Sequence, residues 1–301
     1  MSSIDSKLAA EKGFLFSMCS AIFYASAVVF IRFAYQAGVL AGTAIFLRFA
    51  GAALALFIIS GMMRNTIFLP FKQAAYLFLL GSFAYTILGI TWFVALQTSP
   101  AWLVSLFVAL YPVAINLGNW LFFKDKLAPS QILALTFILL GGIILFGQLP
   151  TKENQTGIIL MLINVLVNTA YILVGQNLTK NTSPLTATFW ITVGASCGTF
   201  IYAISVSQLS FSFEPIGWLW IALFAIVSTA LAITFLWLGV SFLGVSKSSI
   251  IGSAEPVFSI MLSVIILGEK ISLSQMVGGF IILVGSSWVS WQTLLKKDMQ
   301  K

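Results

Sequence analysis

Histidine is missing altogether and charge is scarce, with Lys, Arg, Asp and Glu together making up 8% of the 301 residues. Without an imidazole there is no Ser-His-Asp triad, no histidine metal ligand and no histidine proton relay. No Gly-rich loop ending in Lys-Ser or Lys-Thr of the P-loop kind occurs, so the chain carries no sign of ATP as an energy source. The two cysteines, Cys19 and Cys197, lie inside apolar runs at a spacing that fits no metal site and gives no reason to pair them. They read as small buried hydrophobes, and no metal or cofactor is expected. An ordinary globular chain carries about 25% charged residues to cover its outside, so a water-soluble domain is excluded. The net charge of +7 comes from Lys and Arg spread singly over short gaps, with no basic stripe bearing base-stacking aromatics. A nucleic-acid partner is therefore not expected.

What the chain has in abundance is apolar surface: 60% of residues are hydrophobic and the mean hydropathy is +1.05. The solvent of such a chain is mostly hydrocarbon. A spanning helix needs about 20 mostly apolar residues, and ten runs fit, near 13–33, 42–62, 73–96, 100–123, 129–147, 157–178, 185–207, 215–239, 245–267 and 272–294. The expected fold is an all-α membrane protein of ten transmembrane helices. Residues 1–12 form a polar N-terminal segment without a small-residue cleavage site before the next runs, so the first helix is expected to be retained. The connections are short, as in Lys124-Asp125-Lys126 and Gly268-Glu269-Lys270.

Orientation follows from the basic residues. An N-terminus in the cytoplasm puts Lys7, Lys12, Arg64, Lys72, Lys124, Lys126, Lys180, Lys247, Lys296, Lys297 and Lys301 inside and only Arg32, Lys152 and Lys270 outside. Eleven against three is a positive-inside bias that assigns both the N-terminal segment and the 295–301 tail to the cytoplasm.

An internal repeat appears when each residue is laid over the one 144 positions later without a gap. Pro112-Val113 falls on Pro256-Val257, Asp125-Lys126 on Glu269-Lys270, Ser130-Gln131 on Ser274-Gln275, Ile138-Leu139 on Ile282-Leu283, Gly141 on Gly285 and Gly13 on Gly157. The chain divides into five-helix halves, 13–147 and 157–291. Because five is odd, the second half must enter the membrane from the opposite side. Two like halves of opposite orientation can exchange conformations and so swap inward and outward openings around a central site.

The two-half plan, the Arg48-Phe49 pair, the acidic-Lys turns and the run Ala254-Glu255-Pro256-Val257-Phe258 resemble the EamA-type branch of the drug/metabolite transporter superfamily. The resemblance spans about residues 13–291. It implies export, or less often uptake, of small metabolites such as amino acids across a bacterial plasma membrane, through a cavity lined by helices 1, 3, 4, 6, 8 and 9. Tyr111 stands where the second half has Glu255, so the halves are chemically unequal and substrate class does not carry over.

Pro112 and Pro256 fall mid-membrane, where each removes a helical hydrogen bond and leaves the carbonyl of Val108 or Gly252 needing a partner that lipid cannot supply. A helix kink beside a cavity and a plain packing kink are both open. Polar and small residues recur at spacings of three or four on four helices. They are Ser17, Ser20, Tyr24 and Ala27; Ser105, Ala109, Pro112, Asn116 and Asn119; Asn164, Asn168, Tyr171 and Gly175; and Ser249, Gly252, Glu255, Ser259 and Ser263. Such stripes line cavities, and they also let membrane helices pack closely. Tyr85, Trp92 and Trp237 lie on helices that the resemblance places around the cavity, where they could stack on a planar or cationic ligand. Trp218, Trp220, Trp288 and Trp291 read as interfacial belt residues.

Glu255 is the deepest charge. An ionised carboxylate near the bilayer centre costs about 3 kcal/mol on insertion scales, so it must be protonated, paired or hydrated. Proton or substrate binding in a coupling role stands beside a structural role as a local acceptor. Arg48 sits about 9 Å from its helix start by the helical rise and reads first as a structural side chain reaching the interface, with a direct pair to Glu255 left open. With no central cation in view, neutral, zwitterionic or cationic amphipathic metabolites are the expected substrates. The functional expectation is a secondary transporter working by alternating access, with proton coupling as one mode. The alternatives are a non-transporting scaffold or sensor and an intramembrane enzyme. Oligomeric state is not legible.

Overall fold

The computed structural model describes residues 3–63, 67–98, 107–108, 110–124, 126–146, 155–268 and 272–298. Arg64, Ser105, Ala109, Asp125, Lys152, Glu269, Lys270 and Lys301, all used in the sequence reading, lie outside them. All regular structure among the described residues is helical. This is what hydrocarbon demands of an open chain, because every backbone N–H and C=O must be satisfied within its own segment.

The helices are α1 Ser3–Ala25, α2 Ala27–Gln36, α3 Ala41–Met62, α4 Phe71–Leu80, α5 Thr86–Thr98, α6 Tyr111–Phe123, α7 Pro129–Phe146 and α8 Gln155–Thr179. They continue with α9 Pro184–Ser205, α10 Ile216–Ala225, α11 Ala232–Leu243, α12 Val245–Gly252, α13 Glu255–Leu267 and α14 Leu273–Asp298. Single π-helical stretches, Gly81–Tyr85 and Ile226–Leu231, join α4 to α5 and α10 to α11. Among the described residues seven stretches are long and apolar enough to cross a membrane: Leu8–Gln36, Ala41–Met62, Phe71–Trp92, Gln155–Thr179, Pro184–Ser205, Ile216–Leu243 and Val245–Leu267. They coincide with seven of the ten expected runs. The apolar helices Pro129–Ile144 and Met276–Gly285 are shorter, and much of the run expected at 100–123 lies outside the described residues. The protein is thus a multi-pass membrane protein.

Two boundaries differ from the sequence reading. Helix α1 begins at Ser3, so the polar stretch expected to precede it is its first turns. At the other end α14 runs on to Asp298, through most of the expected tail. Neither end meets a Pro or Gly that would stop it. Cys19 is half-buried and Cys197 exposed, not buried as expected.

The offset of 144 reappears in the backbone. Helices α6 and α13 start at the equivalent residues Tyr111 and Glu255 and end in left-handed caps at the equivalent residues Lys124 (φ 55°) and Gly268 (φ 69°). Glycine adopts that conformation without cost, whereas Lys124 does so against its Cβ. Equivalent helices also pack on each other, α7 on α14 and α3 on α9. The cross-pairs are reciprocal, with α1 on α11 and α8 on α5. Glycine permits the closest approaches: a Cβ on Gly194 of α9 would stand 1.9 Å from the Phe78 carbonyl oxygen of α4.

The two intramembrane prolines do not sit inside continuous helices. Each is the second residue of a new helix, Pro112 in α6 and Pro256 in α13, where the missing N–H is an orphan in any case. Before α13 the chain turns tightly, with Ser253 N–H donating to the Ile250 carbonyl and Ala254 N–H to the Ile251 carbonyl, 3.2 Å each. The expected kinks are therefore short interruptions: Ser253 and Ala254 keep right-handed backbone angles but bond three residues back instead of four, and the residue before each proline stands at a helix start in the middle of the protein.

Candidate functional site

Two cavities occupy the interior. The first, about 210 Å³, is lined by Tyr24, Ala27, Arg48, Phe49, Tyr85, Trp92, Tyr111, Asn164, Phe224, Glu255 and Ser259 among others. The second, about 190 Å³, is lined by Ser17, Ser20, Tyr24, Tyr85, Tyr111, Asn168, Tyr171, Ser249, Gly252 and Glu255 among others. Tyr24, Tyr85, Tyr111 and Glu255 line both.

Local structure explains why these four meet. The interruption before Pro256 puts Glu255 at the first position of α13 and the equivalent interruption puts Tyr111 at the first position of α6. The π-helical stretch ends at Tyr85, and the extra residue in such a turn rotates the following side chains relative to an α-helix. Tyr24 stands at the end of α1, next to the interruption at Ser26, whose hydroxyl donates to the Phe23 carbonyl (2.7 Å) and lies 2.8 Å from the Ser228 hydroxyl. The Tyr24 and Tyr85 hydroxyl oxygens are 3.4 Å apart, and the Tyr85 hydroxyl donates to that of Tyr171 at 3.4 Å. Rings continue the row, with centroid separations of 4.9 Å for Phe49 and Tyr85, 5.1 Å for Tyr85 and Tyr171 and 5.7 Å for Tyr171 and Trp237.

Arg48 overturns its sequence reading. Its side chain does not reach for the interface but lines the first cavity. Its guanidinium carbon lies 4.7 Å from the Phe49 ring centroid and 4.4 Å from that of Phe224, and its Nε donates to Thr229 Oγ1 at 3.2 Å. The two aromatic faces give a desolvated guanidinium about 2 kcal/mol of cation–π attraction, and the Thr229 hydroxyl adds a hydrogen-bond acceptor. Glu255 shares that cavity, and among the described residues no hydrogen bond or ion pair holds its carboxylate. The cavity thus offers one cation, one carboxyl and an aromatic wall.

Asn164 is a positioning residue as well as a lining one. It accepts from the Tyr111 hydroxyl and donates to the Leu88 carbonyl (2.9 Å) and Thr91 Oγ1 (2.7 Å), tying α8 to α5 and α6. Asn168 lines the second cavity and Trp92 the first. Asn116 and Trp237, both expected at the cavity, line neither. Asn116 is fully buried and donates to the Pro112 carbonyl (2.7 Å) and to Ser249 Oγ (3.1 Å), so it holds the start of α6 to α12. Trp237 lies against Gly175, where an added Cβ would stand 2.3 Å from its ring. Of the polar stripes, Ser263 is buried away from both cavities. The residues missed were Arg48, Phe224 and Tyr111. Tyr111 had a signal, its alignment with Glu255 under the repeat offset.

The sequence pattern of the EamA-like transporter family matches twice, over residues 11–147 and 155–291. The chain is 24% identical over 219 residues to the uncharacterized transporter YyaM of Bacillus subtilis, covering 67% of this chain and 71% of that one. It is 23% identical over 208 residues to an uncharacterized transporter of Archaeoglobus fulgidus, covering 69% and 74%. A solved crystal structure superposes with a TM-score of 0.77 over 97% of this chain and 99% of the other at 17% identity, a likeness of fold. With both halves of the chain matched and the interior built around the junction of those halves, this protein belongs to the EamA-like transporter family.

Proposed function

We propose that the protein is a secondary transporter of small zwitterionic or amphipathic metabolites of amino-acid size, that it works by alternating access, and that export is its direction. Residues 13–147 and 157–291 form two five-helix repeats of inverted orientation, ten spans in all, in a bacterial plasma membrane with both termini cytoplasmic. No bond of the substrate is made or broken.

The observation that carries this reading is that Arg48 and Glu255 line the same aromatic-walled cavity. A substrate carboxylate accepts from the guanidinium fork while its ammonium group meets the Glu255 carboxylate, and Tyr85 and Trp92 stack on an apolar side chain. Charged groups this deep are retained only at a cost, which substrate offsets when bound. The expectation of neutral, zwitterionic or cationic amphipathic substrates rested on the lack of a central cation; Arg48 removes that premise, and the two opposite charges favour zwitterions within that set. Glu255 stands on the boundary of both cavities, the place from which one group meets either side, and it is the coupling residue if a proton drives the cycle. Tyr24, Asn164 and Asn168 complete the lining.

The test is flux of labelled amino acids, nucleosides and cationic amphiphiles in proteoliposomes, with and without an imposed pH gradient. Saturable movement of zwitterions by the native chain, reduced at least tenfold by Arg48→Met, supports the reading. Movement of none of the three classes refutes it.

A further inference from the structure

A third cavity, about 620 Å³, opens away from the Arg48 site, between the end of α6, the start of α7, the end of α8 and the corner joining α11 to α12. Lys124, Lys180 and Lys247 line it, and no Asp or Glu does among the described residues. The lysines come from three separate elements: the left-handed cap of α6, the turn after α8 and the first turn of α12. Lys124 and Lys180 alone bring two like charges to one opening, an arrangement that an anion between them would relieve.

Two further features face the same space. Gln131 lines it and is only 8% exposed. Its Oε1 accepts from the Ala128 N–H at 2.8 Å, while its Nε2 donates to no protein acceptor among the described residues. The Gln131 amide therefore keeps its N–H donors free for an acceptor inside the cavity that it lines. Helix α12 also begins here with Gly244 as its uncapped N-cap, and Val245 and Ser246 in its first turn line the cavity. The first-turn N–H groups carry the positive end of the helix.

We propose that this cavity binds a phosphate-bearing anion. Lysine meets phosphate as a point charge without fixed orientation, and the Gln131 amide and the α12 first turn supply directed donors. The same chemistry is presented by the headgroup of an acidic phospholipid and by phosphate in solution. Phe122 and Phe123, 77% and 42% exposed beside Lys124, offer an apolar lip of the kind on which an acyl chain lies, and basic pockets between helices are a recurrent headgroup site. Val245 lines this cavity and the second central cavity alike, so an occupant rests against the wall of the transport path.

The experiment uses the purified full chain in a non-ionic detergent at fixed ionic strength, with thermal unfolding read while phosphatidylglycerol, phosphatidylcholine or inorganic phosphate is titrated in. Phosphatidylglycerol should raise the midpoint. Each of Lys124→Gln and Lys180→Gln should raise the half-saturating concentration roughly fivefold, and the double variant roughly 30-fold. Gln131→Leu should weaken the response without changing net charge, and Lys180→Arg should keep it. Lys72→Gln, outside this cavity, is the control and should leave it unchanged. A lysine-dependent response to inorganic phosphate instead would keep the site and assign it to a soluble anion. Equal stabilisation by phosphatidylcholine, or responses the same in the Lys124→Gln/Lys180→Gln variant and the native chain, would overturn the proposal.

Discussion

Tyr24 and Tyr85 bring their hydroxyl oxygens to 3.4 Å at the boundary shared by the two central cavities. The second link, from Tyr85 to Tyr171, has the same length. Both are long for a hydroxyl pair, and together they hold less than the usual ~1 kcal/mol per bond would suggest. If these links close the boundary between the two cavities, bonds of this length would hold it only weakly. Tyr85→Phe keeps the ring contacts and removes both links, so it should speed substrate exchange by about threefold, a change of ~0.6 kcal/mol. Proteoliposome counterflow reads this directly, and slower exchange would show that the hydroxyls do not form the barrier.

Arg48 is held by two phenyl faces and the Thr229 hydroxyl. Lysine cannot reproduce the planar, stacked guanidinium. Arg48→Lys should therefore lower affinity for carboxylate-bearing substrates by roughly tenfold, about 1.4 kcal/mol, while leaving cationic amphiphiles unaffected. Competition binding with both ligand classes distinguishes this from a general loss of the site, in which the two would fall together.

Glu255→Gln preserves shape and removes the ability to take up and release a proton. If Glu255 couples proton flow to transport, the native rate rises under an imposed pH gradient and the variant rate does not. Equal gradient dependence in both proteins would leave Glu255 as a structural acceptor.

Trp237 is 1% exposed and lines neither central cavity. Its truncation to Ala should cost about 3–5 kcal/mol of stability with little change in substrate affinity. Gly194→Val should be worse tolerated, since even a Cβ there meets the Phe78 carbonyl oxygen at 1.9 Å. Thermal unfolding and size-exclusion profiles report both. A Trp237→Ala protein that is stable but unable to bind would return Trp237 to the binding site.

Hydropathy and the 144-residue offset carried most of the fold, because membrane solvation and duplication both write themselves along the chain. The offset paired Tyr111 with Glu255, but the sequence placed both inside longer kinked helices; that each begins a helix, and that Lys124 and Gly268 end them in left-handed caps, came from the structure. Side-chain direction was less legible. Arg48 was judged from its depth along α3, yet depth does not say which way a helix face turns, and the Phe224 and Thr229 partners lie more than 170 positions away. Asn116 and Trp237 lie on helices that contribute to the cavities but are claimed by local partners, the Pro112 carbonyl and Gly175. Helical period alone cannot separate a residue that lines a space from one that fills it.

Alternating access is tested most directly by single cysteines on either side of the Tyr24–Tyr85 boundary, in a chain with Cys19 and Cys197 replaced by Ser. Ser259→Cys reports the first cavity and Ser248→Cys the second. With a membrane-impermeant thiol reagent applied to one face at a time, the two positions should label from opposite faces, and an imposed substrate gradient should raise labelling at one while lowering it at the other. Labelling of both from the same face, or labelling indifferent to the gradient, would contradict a transport cycle around this boundary.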